Sequence, residues 1–265
     1  MRVAQLGSGT PEVAVVAGIH GDEPCGVRAI ERLLDERPTV KRPVKLIVAN
    51  EAALERQIRF VDEDLNRAFP GDPDAETHEG KLASDLVSEL EGCLAFSMHS
   101  TQSHAEPFAI VNGVGETATD VVPQLPVTAM VETSTFAEGR LFSAVETIEV
   151  ECGLQGSETA AENADRLTRA FLTAVDVLPG DTVRRDLPVY RLVDVIRKDR
   201  ADTYEVFVDN FTEVEPGAPF AAADGEEQIA EESFYPVLMS SNGYEDVFGY
   251  TAEKIDVIET KATAE

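Results

Sequence analysis

Positive charge is in short supply in this chain. Its 265 residues carry 22 Lys plus Arg against 50 Asp plus Glu, a formal net charge of -28. A surface of that sign repels phosphate backbones and anionic leaflets, which argues against nucleic acid and membranes as partners. Long apolar runs are missing too: none approaches the roughly 20 residues that a membrane-crossing helix requires. The opening MRVAQLGSG lacks the basic-then-apolar layout of an export signal. Cysteine is scarce, and Cys25, Cys93 and Cys152 are odd in number with no CxxC spacing. Neither a disulfide framework nor a thiolate zinc site is expected, so the three read as small buried residues in a reducing cytoplasm.

What is present suffices for a core. Hydrophobic residues make up 43% of the chain, and their regular runs argue against disorder despite the charge. Val13–Gly18, Val44–Ala49, Leu94–Met98 and Thr147–Glu151 read as strands. Between and after them, Gly26–Leu34, Gly80–Leu90 and Glu158–Val175 show helical periodicity. Strand–helix alternation of this kind implies a doubly wound α/β sheet with its sites beyond the carboxyl ends of the strands. At Leu178–Gly180 the character changes to short runs such as Val189–Val195 and Tyr204–Val208. Turn pairs Pro216-Gly217, Asp224-Gly225 and Asn242-Gly243 punctuate them. Turns at this density predict a small antiparallel β domain over 179–265, behind an α/β domain over 1–178.

The first strand runs straight into GIHGDEPCG, Gly18–Gly26. His20 and Glu23 sit three apart in that glycine-bounded loop, and an imidazole with a carboxylate supplies two of the three protein ligands of a catalytic zinc. The spacing alone is common, but the chain has only four histidines and this one stands at a strand end. A third ligand should come from another strand end, where His99 follows Leu94–Met98. His104 and His78 compete: His78 falls in the acidic stretch GDPDAETHEG and reads as solvated, while His104 suits either a pocket or a plain surface.

Two further segments carry chemistry. In RFVDEDLNRAFPG, Arg59 and Arg67 are costly cations beside Phe60 and Phe69 unless anions pair with them. A guanidinium matches a substrate carboxylate bidentately, with Asn66 alongside, although Asp62 and Asp64 could equally be the partners. In IEVECGLQ, strand alternation puts Glu149 and Glu151 on one side and Ile148 and Val150 on the other. Glu151, nearest the strand's carboxyl end, suits a general base beside a metal-activated water. In so acidic a chain, either glutamate could also be an exposed strand residue.

Taken in this order and at these intervals, GIHGDEPCG, RFVDEDLNRAFPG, the strand-end His99 and VECGLQG resemble the succinylglutamate desuccinylase/aspartoacylase family, closest to aspartoacylase. Pro216-Gly217 and Tyr235–Tyr244 (YPVLMSSNGY) resemble that family's C-terminal β domain. The resemblance implies a zinc-carboxypeptidase-like mixed sheet flanked by helices, with one Zn2+ held by His20, Glu23 and His99. It further implies Glu151 as general base, Arg59 on the oxyanion, Asn66 and Arg67 on the substrate carboxylate, and Tyr244 as a further substrate contact. Three places depart from the family's pattern. Ser97-Met98-His99 stands where Asp-Leu-His is usual, Cys152-Gly153-Leu154 where Val-Gly-Pro is frequent, and Arg140 lies one residue out of register from a substrate-binding arginine.

The resemblance thus implies hydrolysis of the amide of a small N-acyl amino acid, and a homo-oligomer is compatible with it. The alternatives are a carboxypeptidase-like peptidase and a zinc-binding protein that kept the fold and lost turnover. Retention of both Glu151 and Arg59 argues against the latter, because neither is needed merely to bind zinc.

Lysine is scarcer than arginine, and the acidic residues spread along the whole chain. Dispersed like charge is tolerated best when molar salt shortens the Debye length to about 3 Å, which predicts a halophilic protein. Melting midpoints should therefore rise from dilute buffer to molar KCl. A flat or falling series would remove the halophilic reading.

Overall fold

The protein's structure, a computed structural model, describes residues 1–243 and 245–260. Its strands are β1 (Arg2–Leu6), β2 (Val13–Ala17), β3 (Val44–Val48), β4 (Leu94–Thr101), β5 (Phe108–Val111), β6 (Met130–Glu132) and β7 (Thr147–Leu154). They continue with β8 (Leu187–Arg197), β9 (Tyr204–Val206), β10 (Pro219–Ala223), β11 (Glu226–Ile229), β12 (Tyr235–Val237) and β13 (Val247–Ile258). The helices are α1 (Cys25–Glu36), α2 (Glu51–Arg56), α3 (His78–Glu89), α4 (Glu116–Val121), α5 (Leu141–Ala144) and α6 (Glu158–Ala174). Among the described residues, ten strands form one sheet in the order β1-β3-β2-β4-β7-β5-β6-β8-β13-β12, and β11-β10-β9 form a separate antiparallel sheet.

The parallel heart of the sheet, β3-β2-β4-β7, is covered on both faces, as continuous apolar strands require. Val13, Val15 and Ala17 point into one core with Phe96, Met98, Ile148, Val150 and Cys152, closed by Ile30 and Leu33 of α1 and Leu167 and Phe171 of α6. Burying each large side chain contributes about 1.5–3 kcal/mol. The exposed ion pairs Arg28–Glu158 and Arg169–Glu36 also link α1 to α6, but such pairs add little. Ala14 and Val16 face the opposite way, into a second core with Leu82 and Leu86 of α3, Leu65, Phe69 and Leu141.

On that second face the strands turn polar toward their carboxyl ends. Alternation puts Ala95, Ser97 and His99 of β4 there, beside Thr147, Glu149 and Glu151 of β7. The parallel register sets Ser97 opposite Glu149 and His99 opposite Glu151. The loop after β2 reaches the same place only because two positions are glycine. Gly18 has φ +68°, and a Cβ on Gly21 would lie 2.1 Å from the Ala53 carbonyl carbon of α2.

Several features differ from the sequence-based expectation. β4 and β7 extend past their apolar runs to Thr101 and Leu154, because the polar residues at their ends stay in the ladder. The sheet is mixed, as the family resemblance implies and the simple doubly wound alternation does not: β1 runs antiparallel to β3, and β5 antiparallel to β7. The change of composition at Leu178–Gly180 does not interrupt the sheet. β8 pairs in parallel with β6, and β13 and β12 extend the sheet beyond it, leaving β9–β11 as the separate layer. His78 is not a solvated loop residue; it opens α3, half-buried, with Nε2 3.2 Å from Asn50 Oδ1. Among the described residues no helix is long and apolar enough to cross a membrane.

One buried carboxylate holds the segment that carries the arginines. Glu79, fully buried at the start of α3, accepts hydrogen bonds from the backbone N–H of Asp62 at 2.9 Å, Val61 at 2.6 Å and Glu63 at 3.3 Å, and from Asn50 Nδ2 at 2.9 Å. Burial opposes its ionisation, but these donors outweigh burial and hold its pKa below the ordinary glutamate value. A lowered pKa means stability that is complete above the unfolded value, about 4.3, and lost as pH falls through the folded one. Glu79→Gln should therefore cost about 1.5–3 kcal/mol near neutral pH, the scale for hydrogen bonds to a charged group. Denaturant midpoints of the two proteins should converge in acid. An equal gap at acid and neutral pH would show that the charge contributes nothing.

Candidate metal centre and cleft

Two elements deliver the candidate ligands: the loop after β2 brings His20 and Glu23, and the end of β4 brings His99. All three are buried, and their ligand atoms lie within 4.8 Å of one another. Glu23 stands between the rings, with Oε1 2.8 Å from His20 Nδ1 and Oε2 3.1 Å from His99 Nδ1. It also accepts from the Ser100 backbone N–H at 3.0 Å and from Arg59 Nη1 at 3.2 Å. Each ring turns its Nε2 to other groups. His20 Nε2 lies 3.0 Å from Asp64 Oδ1, and His99 Nε2 lies 3.4 Å from Ser97 Oγ and 3.6 Å from Glu149 Oε2. Two imidazoles and one carboxylate on one point are the donor set of a metal site that keeps an open position, so these residues fit a metal ion. His104 is elsewhere, half-buried between the rings of Phe108 and Phe211 at 6.0 and 5.2 Å.

The charge balance of the site points the same way. Glu23, Glu149 and Glu151 are all buried, so neither strand glutamate is an exposed residue. Burial opposes ionisation of Glu23, yet its contacts first with His20 and then with His99 hold its pKa well below the ordinary value. Glu151 is pushed the other way, up to about 8, by burial and then by the charges of Glu23 and Glu149. His99 is raised to about 10: burial works against its protonation, but Glu149 and Glu23 more than offset it. A cluster with this excess of negative charge calls for a cation. Among the described residues Glu151 Oε2 has no hydrogen-bond partner, although buried polar oxygens nearly always find one.

The arginine segment closes over this floor. Asp64 takes Arg59 through Nε at 3.2 Å and Nη2 at 3.1 Å on one oxygen, while its other oxygen serves His20 Nε2 and the Asn66 backbone N–H at 2.9 Å. Asp62, the other expected partner, accepts instead from the His78 backbone N–H at 2.7 Å. Asn66 is buried, donating from Nδ2 to Glu149 Oε2 at 3.3 Å and accepting at Oδ1 from the Leu141 backbone N–H at 3.1 Å. Arg67 is exposed, its Nη1 donating to the Asn66 carbonyl at 2.7 Å. Arg140 is buried next to Glu149, 4.0 Å away, and Tyr250, whose hydroxyl is 3.5 Å away.

These residues line one polar cleft. It brings together His20, Glu23, Arg59, Asn66, Arg67, His99, Arg140 and Glu151. Tyr244 lies outside the described residues. Sequence reasoning assigned no role here to Ser100, Gln102, Ser103, Gln155 and Ser240, which also line the cleft. Their polarity carries no periodic signal, and they meet only through the sheet. Leu238 alone among the described lining residues presents an apolar side chain.

Known proteins share this architecture and sequence. Residues 9–176 match the Succinylglutamate desuccinylase/Aspartoacylase catalytic domain. A probable aspartoacylase of Prochlorococcus marinus is 29% identical over 110 residues, which are 38% of this chain and 37% of that protein, so the match spans little more than a third of that relative's length. A succinylglutamate desuccinylase of Burkholderia thailandensis is 28% identical over 255 residues, covering 82% of this chain and 72% of that one. In fold, the product-bound ectoine utilization protein EutE (DoeB) of Ruegeria pomeroyi superimposes with a TM-score of 0.78 at 21% identity, covering 95% of this chain and 87% of that one. With well over half of its length matched, this chain belongs to the succinylglutamate desuccinylase/aspartoacylase family.

Proposed function

We propose that this protein is a zinc-dependent amidohydrolase that cleaves the amide bond of a small, polar N-acyl amino acid. The observation that carries the reading is the register of β4 and β7, which sets the buried Glu151 directly beside His99. A metal ligand and a proton acceptor are thereby neighbours on one face, under a cleft rimmed by arginines. A chain that only bound metal would have no use for a second buried carboxylate with an oxygen unengaged by the protein.

Held by His20, Glu23 and His99, zinc would supply Lewis acidity toward water and the scissile carbonyl. Glu151 takes the proton of the attacking water and passes it to the departing nitrogen. Arg59, steered by the two contacts to Asp64, stabilises the oxyanion. Asn66 and Arg67 hold the carboxylate of the amino-acid moiety, and Arg140 faces its side chain. Tyr244 is a further substrate contact in this proposal. With one apolar lining residue, the cleft favours small polar substrates over N-acyl aromatic amino acids and over the long groove of a peptidase.

Metal and chemistry are separable by mutation. His20→Ala and His99→Ala should lose zinc and activity together, as measured by metal analysis of folded protein. Full zinc occupancy in folded His99→Ala would overturn His99 as a ligand.

Glu151→Gln should keep its zinc and lose about 10²–10⁴-fold in turnover. Arg59→Ala should lower kcat, whereas Arg67→Ala should mainly raise KM. Assays of N-acetylaspartate, N-succinylglutamate and N-acetylphenylalanine should give the aromatic substrate the lowest kcat/KM. Near-wild-type turnover in Glu151→Gln would send the search for the base elsewhere, and a preference for the aromatic substrate would overturn the substrate class.

A further inference from the structure

The two candidate metal-binding rings are built alike. Each presents Nδ1 to Glu23 and Nε2 to a carboxylate on the far side. For His20 that carboxylate is Asp64, which comes from the arginine segment. For His99 it is Glu149, which comes from the neighbouring strand. The partner of the second ring nitrogen fixes the tautomer and the ring's orientation, and it raises the basicity of the nitrogen that binds metal.

Glu149 is well placed for this role and poorly placed for others. It is 2% exposed, and the β4–β7 register sets it opposite Ser97, whose hydroxyl lies 3.4 Å from the same ring nitrogen. Its Oε2 also accepts from Asn66 Nδ2 at 3.3 Å, and its Oε1 lies 4.0 Å from Arg140 Nη1. Glu149 Oε2 is hydrogen-bonded by the protein and Oε1 faces Arg140, whereas Glu151 Oε2 has no partner among the described residues, so Glu151 is the better placed to exchange a proton with substrate. The link of Glu149 to Arg140 is the longest of its contacts, so neutralising that arginine is a secondary task.

We infer that Glu149 is a positioning residue for metal binding. Its carboxylate, with the Ser97 hydroxyl, orients His99 so that Nδ1 is presented as the ligand, the service that Asp64 performs for His20. The inference rests on the reading of His20, Glu23 and His99 as a zinc site. It also predicts that the carboxylate can be supplied from either strand, because Ser97 and Glu149 are register partners on one face.

The test is zinc affinity rather than activity, measured by competition against a chromophoric chelator. Glu149→Ala should weaken zinc binding about 10–100-fold. Glu149→Gln, which keeps size and one acceptor, should lose less. Adding Ser97→Asp to Glu149→Ala should recover most of the lost affinity, which a merely structural role would not do. If Glu149→Ala fails to fold, Glu149→Gln and the double variant carry the same comparison. Wild-type zinc affinity in folded Glu149 variants would overturn this inference while leaving the zinc site standing. A wild-type chain that takes up no zinc would overturn both.

Discussion

Everything at the cleft floor hangs on the buried carboxylate of Glu23. Its two oxygens meet His20 Nδ1, His99 Nδ1, the Ser100 backbone N–H and Arg59 Nη1. Those partners come from the loop after β2, the end of β4 and the arginine segment, so one side chain ties three distant parts of the chain to a point. An ionised carboxylate buried without partners costs several kcal/mol, and removing one member of such a set leaves the rest uncompensated. The loop geometry that delivers Glu23, including the close pass of Gly21 against α2, is therefore under strong constraint.

The same constraint explains why the floor suits a metal. The acids crowd each other: Glu151 is driven up to about 8 by burial and then by Glu23, and His99 is driven up to about 10 by Glu149 and Glu23 against the effect of burial. Both shifts are ways for the protein to shed negative charge by holding protons. A divalent cation at the three donors would do so more directly, and it must displace the His99 proton to bind. The two strand glutamates differ in their contacts: among the described residues Glu151 Oε2 has no hydrogen-bond partner, while Glu149 is hydrogen-bonded by Asn66 and faces Arg140.

Much of this could be read from the chain. Val13–Gly18, Leu94–Met98 and Thr147–Glu151 are apolar enough to announce buried strands, and His20, His99 and Glu151 stand where those strands end. The arginine segment announced itself by two cations beside phenylalanines. Partner strands and registers were not legible. β6 has only three residues, too few for a period, yet it carries the sheet across the change in composition by pairing with β8. The antiparallel run of β5 against β7 is likewise a long-range choice with no local mark. Glu149 was visible as a neighbour of Glu151, but its role depends on which residue of β4 lies opposite. Asp64 was visible as an arginine partner, while its second duty toward His20 required knowing that the arginine segment folds over the loop after β2.

The far wall of the cleft shows how the last third of the chain joins the site. Leu238, Ser240 and Gly243 line the cleft from the segment after β12, and Ser100, Gln102 and Ser103 line it from the end of β4 and the turn beyond. The buried Asn210 fastens one to the other: its Nδ2 donates to the Ser103 carbonyl at 2.8 Å and to the Met239 carbonyl at 3.2 Å, and its Oδ1 accepts from the Met239 backbone N–H at 2.8 Å. Three bonds from one amide satisfy groups that burial would otherwise leave unpaired. The segment that continues from β4 and the segment that narrows the cleft are thus bonded to each other through Asn210. The gap between His99 and the Leu238 wall is fixed by local bonding, with β12 and β13 anchoring the wall to the main sheet from behind. Such a wall limits how large a group can approach His99 and Glu151, and its polar side chains favour groups that can hydrogen-bond. Under the proposed function, substrate size and substrate polarity would be set by the same few residues.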